Sequence, residues 1–242
     1  IMRKFVLCFV LLFMLASPSY ACIGARQAAM GWAGVACSDD ATVAYWNPAL
    51  IPFTKSGVSF DTFCSVIPNC NPRILFTSQS FIGNHIGITH TVNQTREYYM
   101  ISYAQQVFDD FSLSVGVSID FKYGQYQGYS LIFSGVCKHD WLTLAVLAQD
   151  TNIRPSVAIA TGHIIVCLEV YDAANLYERR HLRLGSEVNF SQLAIRVGYT
   201  TREGLNETSG FSYGLGVNIS DLKIDFTKFK EDLYGVSVRY AF

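Results

Sequence analysis

The sequence predicts an all-β fold: a closed, antiparallel transmembrane β-barrel. Of the 242 residues, 50% are hydrophobic and 14% aromatic, whereas only 15% are charged, against about 25% in an average soluble domain. From residue 54 onward, apolar and polar residues alternate with the period of two that is typical of half-buried strands. The polar positions are mostly Gly, Ser, Ala and Thr, which suit the crowded interior of a modest barrel.

Residues 1–21 have the pattern of a secretory signal peptide. Arg3 and Lys4 supply the positive charge, and residues 5–16 form an apolar run that is too short to span a bilayer comfortably. Residues 19–21 place small side chains at the cleavage positions. An uncleaved anchor helix is the alternative. Cleavage would make Cys22 the first mature residue, and its lipidation is a second open alternative, although the preceding residues fit a lipoprotein signal poorly.

Residues 22–53 differ from the rest of the chain, because they are rich in small residues and do not alternate. Ser38 or Asp39 is placed to cap a short helix over Ala41–Tyr45. Asn47-Pro48 would end that helix, since the residue before a proline avoids the helical region. The aromatic side chains of this stretch would be costly to leave in water. We therefore predict a hatch, or plug, inside the barrel lumen, with a mobile periplasmic tail as the alternative.

Residues 54–242 are predicted to form the transmembrane barrel. We count fourteen candidate strands, an even number as single-chain bacterial barrels have. The second, sixth, seventh and eighth are less well patterned, so twelve strands is the alternative. The segments are 55–66, 73–82, 84–92, 97–107, 111–123, 125–137, 140–149, 154–161, 163–172, 179–190, 192–202, 208–219, 221–229 and 232–242.

The last segment shows how one face of a strand suits lipid and the other suits the barrel interior. Every second residue from Tyr234 to Phe242 is apolar, whereas the other face, from Gly235 to Ala241, carries small residues and Arg239. Aromatic residues at the ends of apolar faces suit the girdles at the two membrane interfaces. Strands can span lipid only as a closed barrel, because every backbone polar group must be paired there.

Charged residues on the inward face of the last five segments are candidates for binding. An Arg-containing patch could receive a carboxylate head group, since Arg forms bidentate bonds with carboxylates. A satisfied internal network that holds the hatch is the other interpretation, and the two are compatible. Asp39 and Asp40 are possible partners of the arginines. The candidate luminal charges are Arg183, Glu187, Arg196, Lys223, Asp225 and Arg239.

The sequence argues against catalysis, metal binding and nucleic-acid binding. A net charge of −1 offers no basic surface for phosphates. The five His residues are scattered, and the common hydrolase, metalloprotease and nucleotide-binding motifs are absent from the sequence. We expect neither a cofactor nor a metal. A membrane-embedded lipid hydrolase with Ser and His on adjacent strands stays open.

The cysteines indicate at most one loop-closing bridge. Cys64 and Cys70 lie on either side of a short proline-containing stretch, and export permits a disulfide between them. We expect Cys137 and Cys167 to be unpaired small apolar residues.

Two parts of the chain carry a family resemblance. Near the N-terminus, a Gly/Ala-rich run over 24–36 precedes Ser38-Asp39-Asp40-Ala41 and Tyr45-Trp46-Asn47-Pro48-Ala49-Leu50. Toward the C-terminus come 183–187, 193–199, 214–216 and the terminal Tyr240-Ala241-Phe242. These stretches together resemble FadL-like outer-membrane proteins, most closely their PorV-like branch. The resemblance covers about half of the mature chain and leaves 65–175 unmatched.

The resemblance implies a fourteen-stranded barrel in the bacterial outer membrane, closed by an N-terminal hatch. A FadL-like barrel would pass small hydrophobic molecules such as fatty acids passively, whereas a PorV-like barrel would act as a secretion-system component that meets exported proteins. A purely structural barrel is a third possibility. The expected partners are outer-membrane lipid and the barrel assembly machinery, which would recognise Tyr240 and Phe242 as an assembly signal. The implied hatch motif is Asp39, Asp40, Tyr45, Trp46, Asn47, Pro48 and Ala49.

Overall fold

The computed structural model describes residues 23–65, 73–93, 95–174, 180–201, 209–229 and 233–242. Within these residues fourteen antiparallel strands form a closed barrel, in which the first strand pairs with both the second and the last. The predicted fold class is confirmed, with fourteen strands rather than twelve. The predicted signal peptide, Cys22 and Cys70 lie outside the described residues.

The strands follow the predicted segments closely, including the four that were weakly patterned in the sequence. They are β1 (Gly57–Ser65), β2 (Arg73–Gly83), β3 (Ile86–Asn93), β4 (Arg96–Phe108), β5 (Phe111–Lys122), β6 (Gln125–His139), β7 (Leu142–Gln149), β8 (Asn152–Thr161), β9 (Ile164–Tyr171), β10 (His181–Phe190), β11 (Leu193–Thr200), β12 (Gly210–Ile219), β13 (Leu222–Phe229) and β14 (Leu233–Ala241).

The outer face of the barrel is a band of exposed aliphatic and aromatic side chains. Ile101 and Phe133 each leave about half of their surface uncovered, at 51% and 54%. So large an apolar surface is unfavourable in water. It matches the lipid-facing band of an outer-membrane barrel, where alternate residues point to the membrane. The apolar residues of the alternating pattern therefore face lipid, and the residues between them face the lumen.

The two ends of the barrel differ in their connections. At one end, which we call the short-turn end, strands are joined by two residues, as in the turn 84–85 between β2 and β3. Asn84 and His85 there both have positive φ, of 46° and 74°, as tight hairpin turns with the twist of the strands require. At the opposite end, the long-loop end, three strand pairs are also separated by two residues, but β9 and β10, and likewise β11 and β12, are separated by nine residues of sequence. This asymmetry matches periplasmic turns and extracellular loops.

Three short helices precede the barrel: α1 (Ala25–Ala29), α2 (Val43–Trp46) and a 3₁₀ helix (Pro48–Phe53). The prediction for α2 was wrong at its start, because Thr42 rather than Ser38 or Asp39 is the N-cap residue. The carboxylate of Asp40 accepts hydrogen bonds from the Thr42 N–H and hydroxyl and holds this stretch as a turn. The predicted stop is confirmed, since Asn47 is extended and α2 ends before it.

No helix in the described part of the chain is both long and apolar enough to cross a membrane.

Candidate functional site

Residues 23–53, the N-terminal segment, contact inward-facing side chains from widely separated strands. The Ala25 N–H donates to Ser237 on β14 at 2.6 Å, and the Gly34 N–H donates to Glu169 on β9 at 3.0 Å. The Ala49 N–H donates to Ser134 on β6 at 3.1 Å. Nearly all residues of the segment are buried. Because its partners lie on different sides of the ring of strands, the segment occupies the lumen.

Small residues let the segment approach the wall closely. The helix α1 packs against β11 to β14. A Cβ atom at Gly198 on β11 would lie only 1.9 Å from the backbone nitrogen of Gly31. The Ser212 hydroxyl on β12 donates to the Ala29 carbonyl and accepts from the Gly31 N–H. Glycine in this part of the wall is therefore required for backbone-to-backbone contact.

A chain of buried ion pairs starts from the segment and runs along the wall. The Arg26 guanidinium donates to Glu187 on β10 at 2.7 Å. The same carboxylate accepts from Arg196 on β11, which also donates to Asp225 on β13 at 2.6 Å. All four side chains are at least nine-tenths buried. Each charge thus has a partner of opposite sign, as burial in a low-dielectric interior requires.

The chain of ion pairs returns to the segment through Arg239. This guanidinium on β14 donates to Asp225 and to Asp40 of the segment. The half-exposed Asp39 lies 3.2 Å from Arg26 and 3.7 Å from Lys223, at the rim of the network. Of the pairs that we considered from the sequence, the one between Asp40 and Arg239 is present, whereas Asp39 pairs with Arg26 and Lys223 rather than with a candidate luminal arginine. The structure adds Arg26, whose position in a non-alternating stretch gave no sign of its direction.

The carboxyl of Asp40 is held in its charged form. Burial by itself would raise its pKa, but the guanidinium groups of Arg239 and Arg26 and the hydrogen bonds from Thr42 outweigh burial and lower the pKa to about 2. Burial opposes charge on Arg26 as well, yet Asp39 and Glu187 raise its pKa well above its usual value. Both groups therefore remain ionised at neutral pH.

A second buried cluster surrounds Glu169 on β9. Its carboxylate accepts from Arg154 on β8 at 2.6 Å, from Arg183 on β10 at 3.0 Å, and from the backbone N–H groups of Gly34 and Val35. Sequence reasoning placed Arg183 in the lumen but missed the other two side chains. A signal existed, because each is the one charged residue of its strand and stands at an inward position.

The inward-facing residues of β8 to β14 form what we call the charged wall, and those of β2 to β7 form the uncharged wall. Ile82, Met100, Ile132 and Leu147 are buried on the uncharged wall among Ser and Thr residues. Among the described side chains, the charged residues that share this inward face lie near strand ends: Arg96, Asp120, Lys122 and Lys138. The 3₁₀ helix packs on β4, β5 and β6 of this wall.

Aromatic residues close the lumen toward the long-loop end. Trp32 lies 6.4 Å from Trp46, 5.7 Å from Phe63 and 5.9 Å from Phe229, measured between ring centroids. Phe63 in turn stacks on Phe76 at 4.2 Å. All five are buried. This aromatic cluster packs against the segment toward the long-loop end, whereas the ion pairs bind it to the inward face of β10 to β14.

A cavity of about 300 Å³ opens at the short-turn end between the segment and the charged wall. Asp40, Lys55, Lys223 and Arg239 line it together with apolar atoms of Phe53. The Nε of Arg239 has no hydrogen-bond partner within the described residues. The cavity therefore presents a buried guanidinium beside the place where the segment leads into β1.

The remaining residues of the implied hatch motif are structural in their contacts. The Trp46 indole N–H donates to the Ile23 carbonyl at 2.8 Å, and Tyr45 packs edge-on against Trp46. The Asn47 side chain donates to the Val35 carbonyl and accepts from the N–H of Ala49. Pro48 and Ala49 are buried in the 3₁₀ helix. These contacts hold the turns of the segment together.

The other predicted site residues lie away from the lumen. Tyr240 and Phe242 face outward, with ring centroids 6.3 Å apart. Cys64 is half-buried on β1, and its predicted pairing with Cys70 involves a residue outside the described part of the chain. Within the described residues no group of three potential ligands could hold a metal ion.

Comparison with known proteins identifies the fold. No protein-family model matches the chain, and no curated protein matches it. A FadL homologue of Pseudomonas aeruginosa superimposes with a TM-score of 0.63 and 10% identity, covering 94% of this chain and 100% of that structure. The monoaromatic hydrocarbon channel CymD gives 0.60 at 10% identity, with 91% and 97% covered. The toluene transporter TodX of Pseudomonas putida gives 0.58 at 11% identity, with 92% and 98% covered. The chain therefore has the FadL-like barrel fold.

Proposed function

We propose that this chain is a channel of the bacterial outer membrane for passive uptake of small hydrophobic molecules, and that the N-terminal segment is its hatch. The observation that carries the proposal is the asymmetry of the lumen. The segment is ion-paired to the charged wall, whereas it meets the uncharged wall mainly through apolar contacts. Three proteins with this fold are a FadL homologue, a monoaromatic hydrocarbon channel and a toluene transporter, which supports a hydrophobic substrate.

The route for the substrate lies between the 3₁₀ helix and the uncharged wall. Leu50 and Ile51 of the helix are buried in the same apolar cluster as Ile82 and Met100 of the wall. Apolar contacts are non-directional, so a hydrophobic molecule can replace them with equivalent contacts of its own. Replacing the ion pairs on the opposite side would leave buried charges without partners. A hydrophobic molecule therefore displaces the segment from the uncharged wall first.

Fatty acids are the substrates that we favour within this class. In the docked arrangement Arg239 is paired with Asp40, and both line the cavity at the short-turn end. A substrate carboxylate is chemically equivalent to the Asp40 carboxylate and can take its place on the guanidinium. Substrate binding would thus release the segment from the charged wall at the point where the substrate leaves. The arginine network then serves both to hold the hatch and to receive a head group.

Uptake by proteoliposomes whose outer leaflet is lipopolysaccharide tests this proposal. We expect a labelled long-chain fatty acid to enter faster than in protein-free vesicles, and faster than the fatty alcohol of the same chain length. Asp40→Asn removes the competing charge and should speed uptake of the acid. Asp221→Asn is the matched control, because Asp221 lines the same cavity but is exposed on a turn. Equal rates for both vesicle types would contradict channel activity, and equal rates for acid and alcohol would contradict the carboxylate step.

A PorV-like role is the second candidate, and the dense filling of the lumen favours it. The segment is buried against both walls and sealed by the aromatic cluster, as suits a fixed plug. In that case the rims of the barrel, rather than its lumen, would bind exported proteins. Co-purification of exported proteins with the chain, in the absence of fatty-acid uptake, would support this role over transport.

A further inference from the structure

Two buried thiols lie where the N-terminal segment meets the charged wall. Cys37 belongs to the segment and Cys167 to β9, and both are free thiols in the structure. Each donates to the same acceptor, the carbonyl oxygen of Ala33, at 2.8 Å and 3.4 Å respectively. A shared acceptor places the two sulfurs within about 6 Å of each other, so the roughly 2.0 Å of an S–S bond requires the two side chains to turn toward each other.

We propose that Cys37 and Cys167 form a reversible disulfide that fixes the segment to the wall. An exported chain meets an oxidising compartment, where such bonds form and persist. The oxidant is the disulfide of a thiol–disulfide oxidoreductase. The Cys37 thiolate attacks one sulfur of that disulfide, and the other sulfur leaves and takes up a proton. The Cys167 thiolate then attacks the Cys37 sulfur and releases the second oxidant thiol. The two cysteines together lose two protons and two electrons, and the oxidant becomes a dithiol.

The position of the pair makes the cross-link effective. Cys167 and Glu169 are consecutive inward-facing residues of β9, and Glu169 already holds Gly34 and Val35 of the segment. The disulfide therefore reinforces an existing attachment rather than creating a new one. Because the pair is buried, exchange takes place before the segment docks or while it is released. If the bond also controls uptake, that control rests on the proposed function. Formation of the bond requires only that the chain is exported.

Peptide mapping of the full chain, purified in detergent from an oxidising periplasm, tests for the bond. The protein is denatured with iodoacetamide in the absence of reductant and digested. We expect the peptides of Cys37 and Cys167 to appear as one linked species that dithiothreitol separates. Cys137, which is exposed on β6, should be alkylated in either condition, and Cys137→Ser should leave the linked species unchanged. Recovery of Cys37 and Cys167 as separately alkylated peptides, even after refolding with oxidised glutathione, would overturn the proposal.

Limited proteolysis of the segment tests the fixing effect without measuring transport. We expect wild-type protein refolded with dithiothreitol, in which the bond cannot form, to be cleaved within residues 23–53 about tenfold faster than wild-type protein refolded under oxidising conditions. Cys37→Ser should be cleaved at the fast rate after either refolding. Equal cleavage rates for the linked and the reduced wild type would contradict the fixing effect. Loss of uptake activity alone would bear on the channel and not on this bond.

Discussion

The two walls of the lumen hold the same segment by different physical means. The charged wall does so with buried ion pairs and close backbone contact, such as Arg26 with Glu187 and Gly31 with Gly198. The uncharged wall offers apolar side chains and single hydroxyl contacts, such as Ser134 with the Ala49 N–H. Buried ion pairs add little net stability but are costly to break, whereas apolar contacts are stabilising and tolerant of exchange. The charged wall is therefore suited to fixing the position of the segment, and the uncharged wall to letting it move.

Of the changes that we consider, Asp225→Ala on the charged wall should lower the free energy of unfolding the most. The substitution removes the carboxylate shared by Arg196 and Arg239 and leaves two buried guanidinium groups short of a partner. Breaking a buried pair in this way costs about 3–5 kcal/mol. We expect the free energy of unfolding in urea to fall by that amount and protease cleavage of the segment to rise. Asp221→Ala, on an exposed turn, is the control, and a comparable loss there would show that the network has no special role.

Leu50→Ala should have a smaller effect on stability and a larger one on permeability. Leu50 is buried against the uncharged wall, and truncation of a buried leucine costs about 2–5 kcal/mol through lost contacts and a cavity. Because the substitution widens the proposed route, uptake of a hydrophobic probe should increase while the ion pairs stay intact. The comparison of the walls would fail if Leu50→Ala and Asp225→Ala changed uptake and stability in the same ratio.

Gly198→Ala tests the close backbone contact of the charged wall. The added methyl group meets the Gly31 nitrogen at 1.9 Å, and strain of this kind costs about 1–3 kcal/mol. We expect the segment to dock less tightly, which tryptophan fluorescence can report. Trp32 and Trp46 lie in the segment, so a Trp141→Phe background leaves only these two emitters. A red shift in emission is expected for Gly198→Ala. Gly135→Ala, where the nearest atom is a flexible Leu113 methyl at 3.2 Å, should leave the spectrum unchanged.

Acidification should change the docking of the segment least, because the effect on Asp40 appears only at very low pH. The pKa of Asp40 is lowered from 3.8 to about 2 in the folded chain, so its contribution is fully present above pH 3.8 and is lost as the pH falls through about 2. The difference in segment fluorescence between the wild type and Asp40→Asn should therefore be constant from pH 7 to pH 4 and change only near pH 2. A change in this difference centred near pH 4 would show that the pair with Arg239 does not hold the segment.

Most of the barrel could be predicted from the sequence, because alternation records which face meets lipid. The alternation of β14 is reproduced in its burial from Tyr234 to Arg239, with the apolar residues exposed and the small or charged residues buried. The lumen was harder to predict. Arg26 has no period to indicate its direction, and Arg154 pairs with Glu169 across strands. The helix α2 begins later than expected because the Asp40 carboxylate binds Thr42 rather than capping a longer helix. Contacts set by distant parts of the chain leave no local signal.

The contact between Ala25 and Ser237 joins residues 212 positions apart, and it bears on how the protein is assembled. Ala25, near the start of the segment, finds this partner only when the last strand has been made. The seam between β1 and β14 must then close around a segment that is already in place, or the buried arginines would face an empty interior. Contacts of such long sequence separation form slowly. We therefore expect the segment to dock fully only when the seam between β1 and β14 closes.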